Sequence, residues 1–177
     1  MTRAEFIENL RDTYGVGKVL SQKNGAQVLR LRHRTLNKDI VLRSYPTAVP
    51  AYEKLRYISH PHLPEVLDLR VFSDGCIIIE EFVDGITVAE VLQSGLYTYN
   101  GAKSIGEGVA SALCFLHGEG IVHRDIKPEN IIIDKQGCVK LIDLNAARTP
   151  LQSKTADTVV LGTIGYAPPE QFGIAQS

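Results

Sequence analysis

The chain has 177 residues, of which 44% are hydrophobic and 22% charged, the balance of an ordinary globular protein and not of a disordered or fibrous one. Lys and Arg total 19 against 20 Asp and Glu, a net charge of −1; this argues against a nucleic-acid partner, but not against a nucleotide, whose phosphates need only a few local charges. No apolar run is long enough to cross a membrane, the N-terminus turns acidic at Glu5, and Cys76, Cys114 and Cys138 lack metal spacing, so a reduced, cytoplasmic setting is expected.

In chain order, Phe6, Ile7 and Leu10 place a short amphipathic helix over residues 4–11. Residues 16–45 read as strands separated by turns: Asn24-Gly25 signals a hairpin, and residues 35–39 divide a strand at 28–32 from one at 40–43. A helix is predicted over 49–58, with Tyr52, Leu55 and Ile58 on one face, ended by His60-Pro61. Strands over 66–72 and 76–82 flank Ser73-Asp74-Gly75, so one helix lies between the third and fourth of five strands. After Asp84-Gly85 the period is helical, and Ile105, Val109, Ala112, Leu113 and Leu116 form one apolar stripe. Gly101, Gly106 and Gly108 each weaken that helix by about 1 kcal/mol relative to Ala, so packing must hold it. Apolar runs at 131–133 and 139–142 surround Asp134-Lys135-Gln136-Gly137, a second hairpin. Residues 144–170 are polar, Thr-rich and aperiodic, a connection long enough to be functional.

The sharpest feature is His123-Arg124-Asp125-Ile126-Lys127-Pro128-Glu129-Asn130, set between the long helix and the second hairpin, which Asp143 closes. Phosphoryl transfer requires mainly positioning and charge neutralisation: a carboxylate to orient the attacking hydroxyl, a cation for the moving phosphoryl, and oxygen ligands for magnesium. Asp125, Lys127, Asn130 and Asp143 are the residue types those tasks need. The string resembles the catalytic loop of eukaryotic-type (Hanks-type) protein kinases, and Lys-Pro-Glu-Asn resembles the Ser/Thr branch, in a style closest to bacterial members. The resemblance implies that Asp125 orients or deprotonates the hydroxyl and that Lys127 meets the γ-phosphate. It also implies that Asn130 and Asp143 hold Mg2+, and that Arg124 links the loop to an activation segment.

The resemblance extends over nearly the whole chain. Gly162-Thr163-Ile164-Gly165-Tyr166-Ala167-Pro168-Pro169-Glu170 is similar to the end of the family's activation segment, which implies that Thr163 sits against Asp125 and Lys127. Thr149, Ser153, Thr155 and Thr158 would lie in that segment as candidate phosphate acceptors within reach of Arg124. Glu81 to Gly85 resembles the hinge between two lobes, with the backbone of Glu81 and Val83 bonding adenine and Glu80 as gatekeeper; Val28 and Ile132 complete the implied ATP contacts. Some positions depart from the pattern. Ser21, Lys23 and Ala26 stand in place of the phosphate loop's glycines, although Val28 is kept. Arg43 replaces the lysine that meets the α- and β-phosphates, and the two cations are not interchangeable at a tight site. Its glutamate partner is either Glu53, if the helix is shifted, or absent: counting back from His60 puts Ala51 there, and two residues turn a helical side chain through about 200°. Asp143-Leu144-Asn145 replaces Asp-Phe-Gly, with Asn145 suited to a positive φ.

The resemblance therefore implies an α+β, protein-kinase-like fold: a five-stranded antiparallel N-lobe with one helix over residues 1–82, and an incomplete, mainly helical C-lobe over 83–177. The expected activity is ATP- and Mg2+-dependent transfer to a Ser or Thr hydroxyl, with a nucleotide-binding or regulatory pseudokinase module as the alternative. Expected partners are a protein substrate, and a partner chain or second copy covering the apolar face of 105–116, which the short chain would leave open. Neither nucleic acid nor membrane is expected.

Overall fold

The computed structural model describes residues 1–15, 17–23, 25–95, 98–149, 163, 165–168 and 171. The chain divides into two units, Met1–Ser59 with Glu65–Phe82 and His60–Pro64 with Val83–Ser177. Residues 60–64, placed by sequence with the first 82, thus pack with the second unit.

The first unit is built on β1 (Lys18–Lys23), β2 (Ala26–Arg32), β3 (Asp39–Tyr45), β4 (Val66–Phe72) and β5 (Gly75–Glu81). They form an antiparallel sheet in the order β1-β2-β3-β5-β4. Gly25 takes a φ of 76° between β1 and β2, a left-handed value that costs glycine nothing. Alternation sorts the side chains onto two faces. Leu29, Leu31, Ile40, Leu42, Ile77 and Ile79 form a buried cluster on one face, against which Phe6, Ile7, Leu10, Tyr14 and Phe72 pack. The first of these belong to α1 (Arg3–Asn9) and the 3-10 turn that follows it at Leu10–Asp12. A capping box starts α1: the Glu5 amide donates to Thr2 Oγ1 at 3.2 Å, and the Thr2 amide to Glu5 Oε2 at 2.8 Å.

The other face is set by register. Val28 lies opposite Arg43, Arg43 opposite Ile78, and Val41 opposite Glu80, so these residues share one side of the sheet. The helix predicted over 49–58 is shorter, α2 covering Pro50–Leu55. Ala51, Tyr52 and Leu55 are buried but Arg56 and Tyr57 are exposed and Ile58 is only half-buried, so one more turn would gain little packing to offset its ordering cost.

The second unit contains β6 (Gly85–Thr87), α3 (Val88–Gln93), α4 (Tyr99–Gly118), a 3-10 turn at Pro128–Asn130, β7 (Ile131–Asp134) and β8 (Val139–Leu141). Its strands form a sheet in the order β6-β7-β8. The sequence reading missed β6 and α3 as separate elements, although Thr87 and Glu90 form a capping box that spells a helix start. Along α4, Ala112 and Leu116 are buried, whereas Ile105, Val109 and Leu113 are half-buried. Gly108 has a packing reason: a Cβ there would lie 2.8 Å from the Val139 Cβ, so the missing side chain lets α4 approach β8. At Gly106 a Cβ would meet nothing within 4 Å. Residues 60–64 join this unit through hydrogen bonds, Leu141 N–H to His62 O at 2.9 Å and Lys140 Nζ to Leu63 O at 3.2 Å. The His60 ring also stacks on Phe115 with centroids 4.7 Å apart.

Candidate active site

The loop after α4 is held from beneath by a buried histidine. The His123 ring bonds the Ile142 carbonyl through Nε2 at 3.2 Å, while its Nδ1 accepts from the Asp125 amide at 3.3 Å. A backbone bond from Ile142 N–H to Asn130 O, 2.8 Å, ties the far end of the loop to the strand that leads into Asp143. Burial pushes the His123 pKa down, against the hydrogen bond to Ile142 and the charges of Asp143 and Asp125, so the ring is neutral at neutral pH. Both acids therefore act electrostatically on one buried ring.

Above it lies a closed polar network. Lys127 Nζ is 2.8 Å from Asp125 Oδ2 and donates to Thr163 Oγ1 at 3.0 Å. Thr163 in turn donates to Asp125 Oδ1 at 2.9 Å. Asn130 Nδ2 donates to the Asp125 backbone carbonyl at 2.8 Å and to its Oδ2 at 2.9 Å. Burial alone would raise the Asp125 pKa; the hydrogen bonds from Lys127, Thr163 and Asn130, with the Lys127 charge, outweigh it and hold the carboxyl below its usual value. Asp125 is an anion at neutral pH. The Gln171 side-chain amide donates to the Arg124 carbonyl at 2.9 Å, a contact the sequence reading did not foresee.

Positive φ falls at Arg124 (68°) and Asp143 (69°) and not at Asn145, where the sequence suggested it. The left-handed turn thus sits on the acid itself, and Asp143 Oδ1 accepts from the Asn145 amide at 3.2 Å. Thr149 is buried, at 5% exposure, so it is no accessible phosphate acceptor in this conformation. Ser153, Thr155, Thr158 and Glu170 lie outside the described residues.

In the first unit, Arg43 meets an acid, but from another element than expected. Its Nε lies 2.5 Å from Glu80 Oε1, and the side chains are 6% and 4% exposed. Glu53, the sequence candidate for this pairing, is exposed on α2. The reason is register: Glu80 stands opposite Val41, diagonal to Arg43 on the same face, and a buried carboxylate there needs a cation. The signal was readable as an acid at the end of the apolar run Cys76 to Ile79, where a charge is rarely buried unpaired. Val28 is half-buried beside Arg43. The Glu81 amide donates to Glu65 O at 2.9 Å; Val83 is buried, and Ile132 is half-buried on β7. The segment aligned with the phosphate loop, residues 21–28, runs from the exposed end of β1 through the Gly25 turn to Ala26–Val28 of β2, which are half-buried.

A family model for the protein kinase domain matches residues 17–176. The chain belongs to the protein kinase family. This kinase domain is 35% identical over 143 residues to the "Probable serine/threonine-protein kinase CPE1738" of Clostridium perfringens, covering 80% of the chain and 20% of the relative. It is 31% identical over 183 residues to the serine/threonine-protein kinase PknB of Mycolicibacterium smegmatis, covering 93% of the chain and 29% of the relative. With the kinase PrkC of Bacillus subtilis it shares 38% over 117 residues, 64% of the chain and 18% of the relative. The kinase domain thus spans less than a third of the length of these curated relatives. The α+β reading, with a five-stranded antiparallel sheet followed by a mainly helical unit, agrees with the family. Among the described residues, no helix is long and apolar enough to cross a membrane.

Proposed function

We propose that this chain binds ATP with Mg2+ and transfers the γ-phosphoryl group to a Ser or Thr hydroxyl of a protein substrate, with residues 1–82 and 83–177 acting as the two lobes. The observation that carries the reading is the Asp125 carboxylate, ionised and oriented by Lys127, Thr163 and Asn130. Its Oδ2 already takes donors from Asn130 and Lys127, whereas Oδ1 takes one from Thr163, so Oδ1 is the oxygen suited to a substrate hydroxyl. Asp125 accepts that hydroxyl's proton as the oxygen bonds to the γ-phosphorus and ADP leaves. Lys127 offsets charge on the phosphoryl oxygens.

The side chains suit a magnesium ion. Asn130 commits its amide nitrogen to Asp125, which turns its carbonyl oxygen into the remaining ligand atom, and Asp143 supplies a carboxylate. These two residues would hold the ion, since magnesium commonly takes one or two protein oxygens and completes its shell with phosphate and water. Bound there, it would neutralise phosphate charge. Val28 and Arg43 would contact the nucleotide from the first unit, Glu81 and Val83 through their backbone, and Ile132 from β7. Arg124 and Thr163, with Thr155 and Thr158, would connect the loop to the activation segment. ATP supply and free thiols both suit a cytoplasmic setting.

The test is transfer of label from γ-labelled ATP to a Ser/Thr-containing protein acceptor, with wild type and Asp125→Asn side by side. Transfer that requires magnesium and is lost in the variant supports the reading. Nucleotide binding without transfer would favour a regulatory module, and no binding at millimolar ATP would overturn both.

A further inference from the structure

We propose that Glu80 is the positioning residue for Arg43, fixing the guanidinium for a nucleotide's phosphates from within the sheet, and that Glu53 of α2 takes no part. The proposal rests on the reading of this chain as an ATP-binding kinase domain and deepens one part of it.

The two side chains are among the driest charges described, at 6% and 4% exposure, with Arg43 Nε 2.5 Å from Glu80 Oε1. In such a place a charge is costly, and removing one member of the pair penalises the other. A guanidinium differs from an ammonium here: it is planar, and a carboxylate bound along its Nε edge sets the direction of the whole fork. The bond to Glu80 therefore orients the Nε edge of Arg43 on the face it shares with Val28.

The pair is also carried by the backbone ladder. β3 and β5 run in continuous register from Ile40↔Glu81 to Tyr45↔Cys76, and the Glu80–Arg43 diagonal crosses it by two residues. Its geometry is set by strand pairing. An acid on a helix would depend on where the helix packs, and α2 is six residues long with Glu53 exposed. An arginine at this point of β3 and an acid at this point of β5 are thus complementary departures: the guanidinium is long enough to be held by a neighbouring strand, and Glu80 is the carboxylate that holds it.

The experiment titrates the full chain with a fluorescent methylanthraniloyl-ATP analogue and magnesium, and follows thermal melting of each variant. Wild type binds the analogue; if it does not, the ATP-binding reading itself falls, a result seen before any variant is made. Glu80→Gln is expected to weaken binding by about ten- to a hundredfold, because the amide oxygen that remains holds the guanidinium without the carboxylate charge, and Glu53→Gln to change it less than about twofold. The exchange R43E/E80R keeps a buried pair but moves the cation to β5. It should recover melting lost in Glu80→Gln without recovering nucleotide affinity. Affinity that returns together with melting in the exchanged pair would make the bridge merely structural and overturn the proposal. So would unchanged affinity in Glu80→Gln, or a tenfold loss in Glu53→Gln.

Discussion

Two ion pairs in this molecule differ sharply in burial. Arg43–Glu80 is dry, at 6% and 4% side-chain exposure, and is fixed by strands on either side. Lys127–Asp125 is about a fifth exposed, at 21% and 19%, sits on a loop, and shares its carboxylate with Thr163 and Asn130. Desolvation makes the first pair costly to break, so losing one member lowers stability as well as the nucleotide affinity proposed above. The second keeps contact with water, so its members can exchange partners, and on the proposed function their energy would appear mainly as rate. Burial, more than distance, separates them.

The largest expected effect breaks the loop pair. Asp125→Asn should lower phosphoryl transfer by about 10²–10⁴-fold, the usual worth of a positioned base, while its melting temperature falls by less than that of an Arg43 variant. A melting loss as large as that of an Arg43 variant would erase the contrast. Next comes the dry pair: Arg43→Met removes the cation that lies on the buried Glu80 carboxylate and should destabilise the chain by about 3–5 kcal/mol in denaturant unfolding, whereas Lys127→Met should cost about 1 kcal/mol or less. Equal costs would show that burial is not what distinguishes them.

The support beneath the loop provides a smaller effect. Gly108→Ala forces a Cβ to 2.8 Å from Val139 and should cost about 1–3 kcal/mol despite alanine's better helix propensity. Proton uptake comes next. The folded state holds the His123 pKa below its unfolded value, so the unfolded chain binds the extra proton first as pH falls. The stabilisation is complete above about pH 6.5 and is lost below it, at no more than about 1.4 kcal/mol per pH unit, until the folded ring also titrates. Asp125 has the opposite chemistry and the same outcome: its lowered pKa favours folding above about pH 3.9, and that gain is lost as acid protonates the carboxylate. A His123→Asn variant should flatten the slope near pH 6, read from melting temperatures against pH. The smallest effect is a gain: Gly106→Ala, facing open space, should stabilise by about 0.4–1 kcal/mol.

Most of the loop site was legible in the sequence because its members are close along the chain. Asp125, Lys127 and Asn130 lie within five residues, and the hairpin after them returns Asp143 to the same place through Ile142 and Asn130. Thr163 was reached through resemblance alone, since nothing local points it at Asp125. The resemblance makes Glu80 the gatekeeper beside the hinge, and no local spacing points it at Arg43. The α2 boundary was overextended because Ile58 continued the apolar spacing, while the exposure of Arg56 and Tyr57 ended the helix.

The sequence by itself determined the order of the first five strands with one helix between the third and fourth, the strand alternation that buries Leu42 and Ile77, and which polar residue types stand in the loop at 123–130; all rest on spacings of a few residues, where backbone geometry leaves little choice. Only the tertiary structure decided which carboxylate meets Arg43, that Gly108 is needed and Gly106 is not, and that the left-handed turn falls on Asp143. Each of those depends on register or on close approach between elements distant in the chain, and a pair 37 residues apart becomes a contact only when two strands lie side by side.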